Sequence, residues 1–324
     1  MNKIDLELRS RFVKDFNLPV QVLVSPYFEY FLDLYQEDYE SKSKWRKLQK
    51  EISEKFSGNT AKYLDDYYKT RNQIITDLES SKAYADFCED PDFPNKFSVP
   101  GEIKGDLYTE TQVGKKFLSI DLVKANFQAL RFYNPKLVKD TKTYEEFIGL
   151  YDNSPIFSES KYTRQVIFGK LNAKRQTTIE KWLVWKISEY LKNILPEEFK
   201  LFSRQTDEII YELPRDYVYT EMGIKEKIKE NLDLDVSVKI FCTDWMQRFT
   251  KEGSSITGFI KNYIYPVSKK STLHKVQGTY FAQMYKMWKG MDINPVYDLV
   301  LLHEKQLAHF DYQLLIINPN DKNS

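Results

Sequence analysis

Lys116-Phe117-Leu118-Ser119-Ile120-Asp121-Leu122-Val123-Lys124-Ala125-Asn126-Phe127-Gln128-Ala129-Leu130 changes its texture midway. Lys116 to Asp121 reads as a strand, and Ala125 to Phe132 as a short helix stopped by Asn134-Pro135. Asp121 therefore stands at a strand end, where an aspartate can hold a divalent ion or simply cap the following helix. Downstream, Phe199 to Ser203 and Glu208 to Leu213 read as two strands with Arg204-Gln205-Thr206-Asp207 at their junction. That puts a second carboxylate, Asp207, at a hairpin tip, which is also an ordinary turn position. Glu208, one step along the strand, is expected on the opposite face and solvated.

Around this pair the chain divides into three regions. From Tyr27 to about Cys88, apolar residues such as Phe28, Phe31, Leu32, Tyr35 and Trp45, Leu48, Ile52, Phe56 recur at three- and four-residue steps, the mark of amphipathic helices. The run Asp90-Pro91-Asp92-Phe93-Pro94-Asn95 and then Pro100-Gly101 breaks helix and sets a boundary near residue 100. Tyr144 to Tyr151 reads as a short helix, Ser158 to Leu195 as a long one with Trp182 and Trp185 in its core, and Gly223 to Leu232 as another. Val236 to Cys242, Trp245 to Thr250 and Thr257 to Tyr265 read as strands, the last two joined by Lys251-Glu252-Gly253-Ser254-Ser255. Helices are expected again from Tyr280 to Lys289 and from Val296 to Phe310, and the tail from Asn318 to Ser324 is expected to be disordered. The expected fold is α+β: a helical N-terminal region over residues 1–100, a sheet-bearing region over 101–270 and a helical C-terminal region over 271–324.

With 324 residues, 42% of them hydrophobic and 15% aromatic, the chain can bury a large core. Lys+Arg 48 against Asp+Glu 47 leaves a net charge of +1, so any surface for a polyanion must be local. Cys88 and Cys242 lie far apart, with no spacing that suggests a disulfide framework or a zinc site, and a reducing, cytoplasmic setting is the simplest expectation. The first nineteen residues lack the continuous apolar run of a signal peptide, and no later stretch has membrane-spanning length, so no membrane partner is expected. His274, His303 and His309 show no ligand spacing. Lys261-Asn262-Tyr263-Ile264-Tyr265-Pro266, followed by Lys269-Lys270 and Lys275, interleaves lysines with aromatics, as a nucleic-acid track or a lysine-protected edge strand would.

Three segments, in order, resemble motifs A, B and C of family B DNA polymerases. Asp121-Leu122-Val123-Lys124-Ala125-Asn126-Phe127 is similar to D-x-x-S-L-Y-P, with the metal-binding aspartate at Asp121 and Asn126 where the family has the tyrosine that screens the ribose 2′ position. Lys161-Tyr162-Thr163-Arg164-Gln165-Val166-Ile167-Phe168-Gly169 resembles K-x-x-x-N-S-x-Y-G, with Gln165 for Asn and Phe168 for Tyr. Ser203-Arg204-Gln205-Thr206-Asp207-Glu208-Ile209 resembles Y-G-D-T-D-S-I, with Gln205 replacing the first aspartate and Asp207 keeping the second. Lys261-Asn262-Tyr263 fits the K-x-Y pattern that touches the primer–template backbone. Two departures stand out. Residues 140–159, where the family has long basic fingers helices, hold at most one short helix, and residues 1–100 are too few for the proofreading exonuclease.

The resemblance implies a polymerase-like palm with an antiparallel sheet over 101–270, minimal fingers and a thumb-like C-terminal region. It further implies metal-dependent nucleotidyl transfer to a nucleic-acid 3′ end in replication, with a viral or phage setting among the expectations, and a cytoplasmic location that would be host cytoplasm if the source is viral. Asp121 and Asp207 would hold Mg²⁺ or Mn²⁺; Lys161, Arg164 and Gln165 would meet a nucleoside triphosphate, Asn126 its sugar, and Lys261 and Tyr263 the DNA or RNA backbone. The rival is a polymerase-derived module that has lost catalysis and binds nucleic acid or other replication proteins. Gln205 and the short 140–159 segment favour this rival; joint retention of Asp121, Asp207 and Lys161 favours the enzyme.

Overall fold

The computed structural model describes residues 3–218, 223–249, 254–303 and 306–309. Thr250 to Gly253, Glu304, Lys305, Phe310 and the tail from Asn318, for all of which the sequence carried an expectation, lie outside them. Seven helices precede the sheet: α1 (Lys3–Asp15), α2 (Tyr27–Leu34), α3 (Gln36–Tyr39), α4 (Ser41–Phe56), α5 (Thr60–Glu79), α6 (Lys82–Glu89) and α7 (Phe93–Lys96). Asn59 and Ser81 cap α5 and α6 by accepting from the amides of Lys62 and Tyr84. Strand β1 (Lys116–Leu122) leads into α8 (Ala125–Tyr133), α9 (Tyr144–Gly149), α10 (Pro155–Glu159), α11 (Lys161–Gly169) and α12 (Ala173–Leu191). The hairpin β2 (Lys200–Arg204) and β3 (Glu208–Glu212) follows, then α13 (Ile224–Leu232), β4 (Val236–Phe249), β5 (Ser255–Tyr265) and β6 (Thr272–His274). The chain continues through α14 (Phe281–Trp288), α15 (Pro295–Asp298), β7 (Val300–His303) and β8 (Gln306–His309).

Strands β1 to β6 form one sheet in the order β2-β3-β1-β4-β5-β6, every neighbouring pair antiparallel. Alternation along β1 sorts its two faces. Leu118, Ile120 and Leu122 enter the main core beneath α8 and α12, with Ile209, Tyr211, Val236 and Ile240 beside them. Phe117, Ser119 and Asp121 face the other way, where Phe117, Ile210, Phe241 and Leu107 make a smaller cluster. The segment after Gly101 straps this second face: Ile103 exchanges backbone hydrogen bonds with Arg204, Tyr108 reaches Phe259 and His274, and Thr243 Oγ1 donates to the Gln112 carbonyl. Gly105 passes so close to β2 that a Cβ there would stand 2.5 Å from the Phe202 carbonyl oxygen, so only glycine fits.

The mixed helix and sheet architecture is as expected, but several elements differ. The long helix from Ser158 is three: Ser160 starts α11, and Asn172, at φ +51°, starts α12 after Gly169. Residues 140–159 hold two short helices, not one. The two strands expected over 236–250 are, as far as Phe249, a single β4, because Thr243 and Asp244 stay in register with Lys261 and Ile260. The helix expected from Val296 stops at Asp298 and gives way to the β7–β8 hairpin, so the C-terminal region is not wholly helical; Leu299 to Leu302 is a continuous apolar run that suits either period. Trp182 and Trp185 are half-buried beside the stripe Ile179, Leu183, Val184, Ile187 and Leu191 that α12 does bury, with Lys186 over both rings.

The C-terminal helices pack back on the first ones. Tyr30 stacks on Tyr297 and donates to Asp298, which also pairs with Lys286 at 2.8 Å, while Tyr285 and Lys289 both bond Asp38. Buried residues from α1 to Val300 belong to one continuous core. Among the described residues no helix is long and apolar enough to cross a membrane.

Candidate active site

Asp121 and Asp207 arrive at the same end of adjacent strands. The Leu122 amide donates to the Asp207 carbonyl at 2.9 Å, which fixes the hairpin tip against the end of β1. Asp207 is solvent-accessible, yet protein crowds it on the inner side; that desolvation and then the Asp121 charge raise its carboxyl above the usual range, against the pull of Lys161 and Lys239. Lys239 Nζ holds Asp121 Oδ2 at 3.1 Å. Arg164 is less basic than usual because it is buried, and it feels the charge of Asp121 and the ring of Tyr144. The two aspartates, Lys161 and Arg164 are thus within electrostatic reach of one another, and Gln165, like Lys161, is exposed on α11. Asn126, in the first turn of α8, is half-buried and accepts from the Phe127 amide through Oδ1.

The position of α11 is set from the N-terminal helices. Ser160, its cap, accepts from the Thr163 amide and donates to Asp15 Oδ1 at 2.7 Å. Asp15 is paired with Arg11 at 3.1 Å, and Arg11 lies over the Tyr67 ring and donates to Thr163 Oγ1. Burial raises the Asp15 carboxyl, and Arg11 and Ser160 pull it back.

Three groups near the aspartates have no strong signal in sequence. Glu208 was expected on the opposite face from the site. It stands directly across the ladder from Asp121, so both side chains share a face, and Ser119 Oγ donates to it at 2.6 Å. The turn Gln205 to Asp207 takes the aspartate out of the ladder and so resets the alternation. Lys239 lies on the same face, opposite Ser119; the alternation of Val236, Val238 and Ile240 with Ser237, Lys239 and Phe241 places it once the pairing is known. Glu180 comes from α12, and burial followed by the Asp207 charge pushes its carboxyl up to about 7.

Because the folded protein holds the Glu180 proton more tightly than the unfolded chain, this group costs nothing below its ordinary value and weakens the fold as pH rises through about 7. In metal-free buffer Glu180→Gln should raise unfolding stability at pH 8 by on the order of 2 kcal/mol and change it little near pH 4, as read by urea titration. An equal effect at both pH values would show that the carboxylate is not destabilised by its site.

Along the same face, away from the aspartates, lysines lie on aromatic rings. Lys261 sits 4.6 Å from the Phe241 ring centre and also over Tyr108, Lys269 over Tyr263, and Lys275 over Tyr108. Burial lowers Lys261 and Lys269, and His274, buried among Lys261, Lys269 and Lys275, falls to about 4 and stays neutral.

The oxygen donors of Asp121 and Asp207 suit a hard divalent ion, and their mutual repulsion calls for a positive charge between them. Among the described residues no group of three or more His, Cys, Asp and Glu side chains forms a ready-made metal cluster. Compared with models of protein families, with curated proteins and with solved structures, the chain matches none.

Proposed function

We propose that the sheet is a polymerase-like palm with reduced fingers and that the protein performs metal-dependent nucleotidyl transfer to a nucleic-acid 3′ end. The observation that carries this reading is the convergence of Asp121 and Asp207 on adjacent strand ends with Lys161, Arg164 and Lys239 around them. Asp121 and Asp207 would hold Mg²⁺ or Mn²⁺, which when bound supplies charge stabilisation to the attacking and leaving oxygens. Lys161, exposed at the start of α11, and Arg164 meet the triphosphate, and Asn126 stands by its sugar. Lys239 holds Asp121 in place. The strip of Lys261, Tyr263, Lys269 and Lys275 binds the DNA or RNA backbone, with rings for stacking and ammonium groups for phosphates.

A second reading has its own support. Lys239 already neutralises Asp121, and Gln205 removes one carboxylate, which fits a nucleic-acid-binding or protein-interaction module of a replication or viral system. The enzyme and a nucleic-acid-binding module both predict that Lys261→Gln with Lys269→Gln weakens nucleic-acid binding and lowers the slope of log K against log salt by about two, one for each lost phosphate contact. Fluorescence anisotropy across salt concentrations measures this. An unchanged slope would remove the strip from the binding surface in either reading.

The enzyme reading is tested by extension of labelled primers with Mg²⁺ or Mn²⁺, on DNA and RNA. Incorporation by the wild-type chain supports it. Binding without incorporation under all these conditions leaves the module.

A further inference from the structure

A cleft of about 600 Å³ opens beside the Asp121 strand end but on the helix-covered side of the sheet. Its walls are Val123, Phe127, Val236, Val238, Tyr265 and Pro266. Val236 and Val238 pair across the ladder with the buried Leu122 and Ile120, so this is the face opposite the one that carries Asp121, Lys239 and Lys261. The size is that of a small-molecule site, and a flat apolar body fits such walls.

Its charges are arranged for an anion. Two acids line it, and each is already paired: Glu145 with Lys124, and Asp235 with Lys229 at 3.3 Å. Lys142 and Lys225, exposed at the rim, form no ion pair among the described residues. Two helices also start here. α8 starts after Lys124 and α13 after Gly223, neither N-cap residue makes a side-chain capping hydrogen bond, and Lys124 and Lys225 line the cleft, so the positive ends of both helices lie near it. Separated cationic centres suit a polyphosphate better than a single carboxylate, and the half-buried Tyr265 offers a base a ring to lie against.

We infer that this cleft binds a nucleoside triphosphate, base against Tyr265 and phosphates at Lys142 and Lys225, as a nucleotide site separate from the Asp121–Asp207 centre. It goes beyond the nucleotidyl-transfer reading and does not need it, since neither aspartate nor a metal takes part in the binding. Two adjoining nucleotide sites are also what joining two free nucleotides without a primer would require.

Calorimetric titration with ATP in EDTA tests it. The wild-type chain should bind ATP, with adenosine and inorganic triphosphate each at least 10-fold weaker. Lys142→Ala with Lys225→Ala should weaken ATP at least 10-fold, and Val123→Trp, which fills the exposed mouth, should do the same. No ATP binding by the wild type, or binding lost with Lys161→Ala but kept by the lysine pair variant, overturns the inference. The outcome is independent of the extension assay: a chain that binds ATP in the cleft but never incorporates nucleotides keeps this site and loses the transferase.

Discussion

Asp121→Asn and Asp207→Asn should each lower nucleotide incorporation by three orders of magnitude or more, while nucleic-acid binding stays intact. On the proposed reading, neutralising either carboxylate would weaken the hold on a divalent ion and with it several kcal/mol of charge stabilisation, at about 1.4 kcal/mol for each factor of ten in rate. Folding should survive. Asp121 repels Asp207, whose carboxyl is already raised, so either substitution relieves that repulsion even as Asp121→Asn releases Lys239. A binding module answers differently: the same changes leave binding unchanged or tighten it, because negative charge near phosphates has been removed. Primer extension and anisotropy on the same preparations separate the two. Wild-type activity that survives either substitution would mean that the reaction centre lies elsewhere.

The second large effect is on stability. Asp15→Ala should destabilise the protein by about 3–5 kcal/mol, because it strands the buried Arg11 guanidinium without its carboxylate. The expected result reaches the site as well. Asp15 accepts from Ser160, the residue that starts α11, so its loss frees the first turn that carries Lys161 and Arg164. Replacing both partners by apolar residues, Arg11→Met with Asp15→Leu, should recover much of the stability but not the anchoring of Ser160. Chemical denaturation of the wild type and the two variants measures the first effect. Cross-linking or exchange at α11 reads the second, and an α11 as well protected in the double variant as in the wild type would show that its anchoring lies elsewhere.

How much could be foreseen differs between the sheet and the rest. The β1 strand and the β2–β3 hairpin were legible because each is a short apolar run ended by a turn sequence, and Asp121 and Asp207 came with them. Lys161 and Arg164 were legible as an i,i+3 pair, though the helix bearing them was read too long: no proline or strong breaker separates Gly169 from Ala173, and Asn172 turns the chain there by adopting a left-handed conformation. Lys239, Glu208 and Glu180 were invisible as neighbours of the aspartates, since that nearness is a matter of strand register and helix docking. The chain texture sets neither. Register also explains the misplaced Glu208, for which counting along one strand cannot replace knowing where the turn leaves the ladder.

Tyr30 and Asp298 are 268 residues apart in the chain, and Asp38 and Tyr285 are 247 apart, yet each pair is hydrogen-bonded. During synthesis the first helices therefore leave the ribosome long before the groups that complete them exist. Closure of the N-terminal region must wait for nearly the whole chain, and until then the rings of Tyr30 and Tyr35 remain a sticky surface for a chaperone or for another nascent copy.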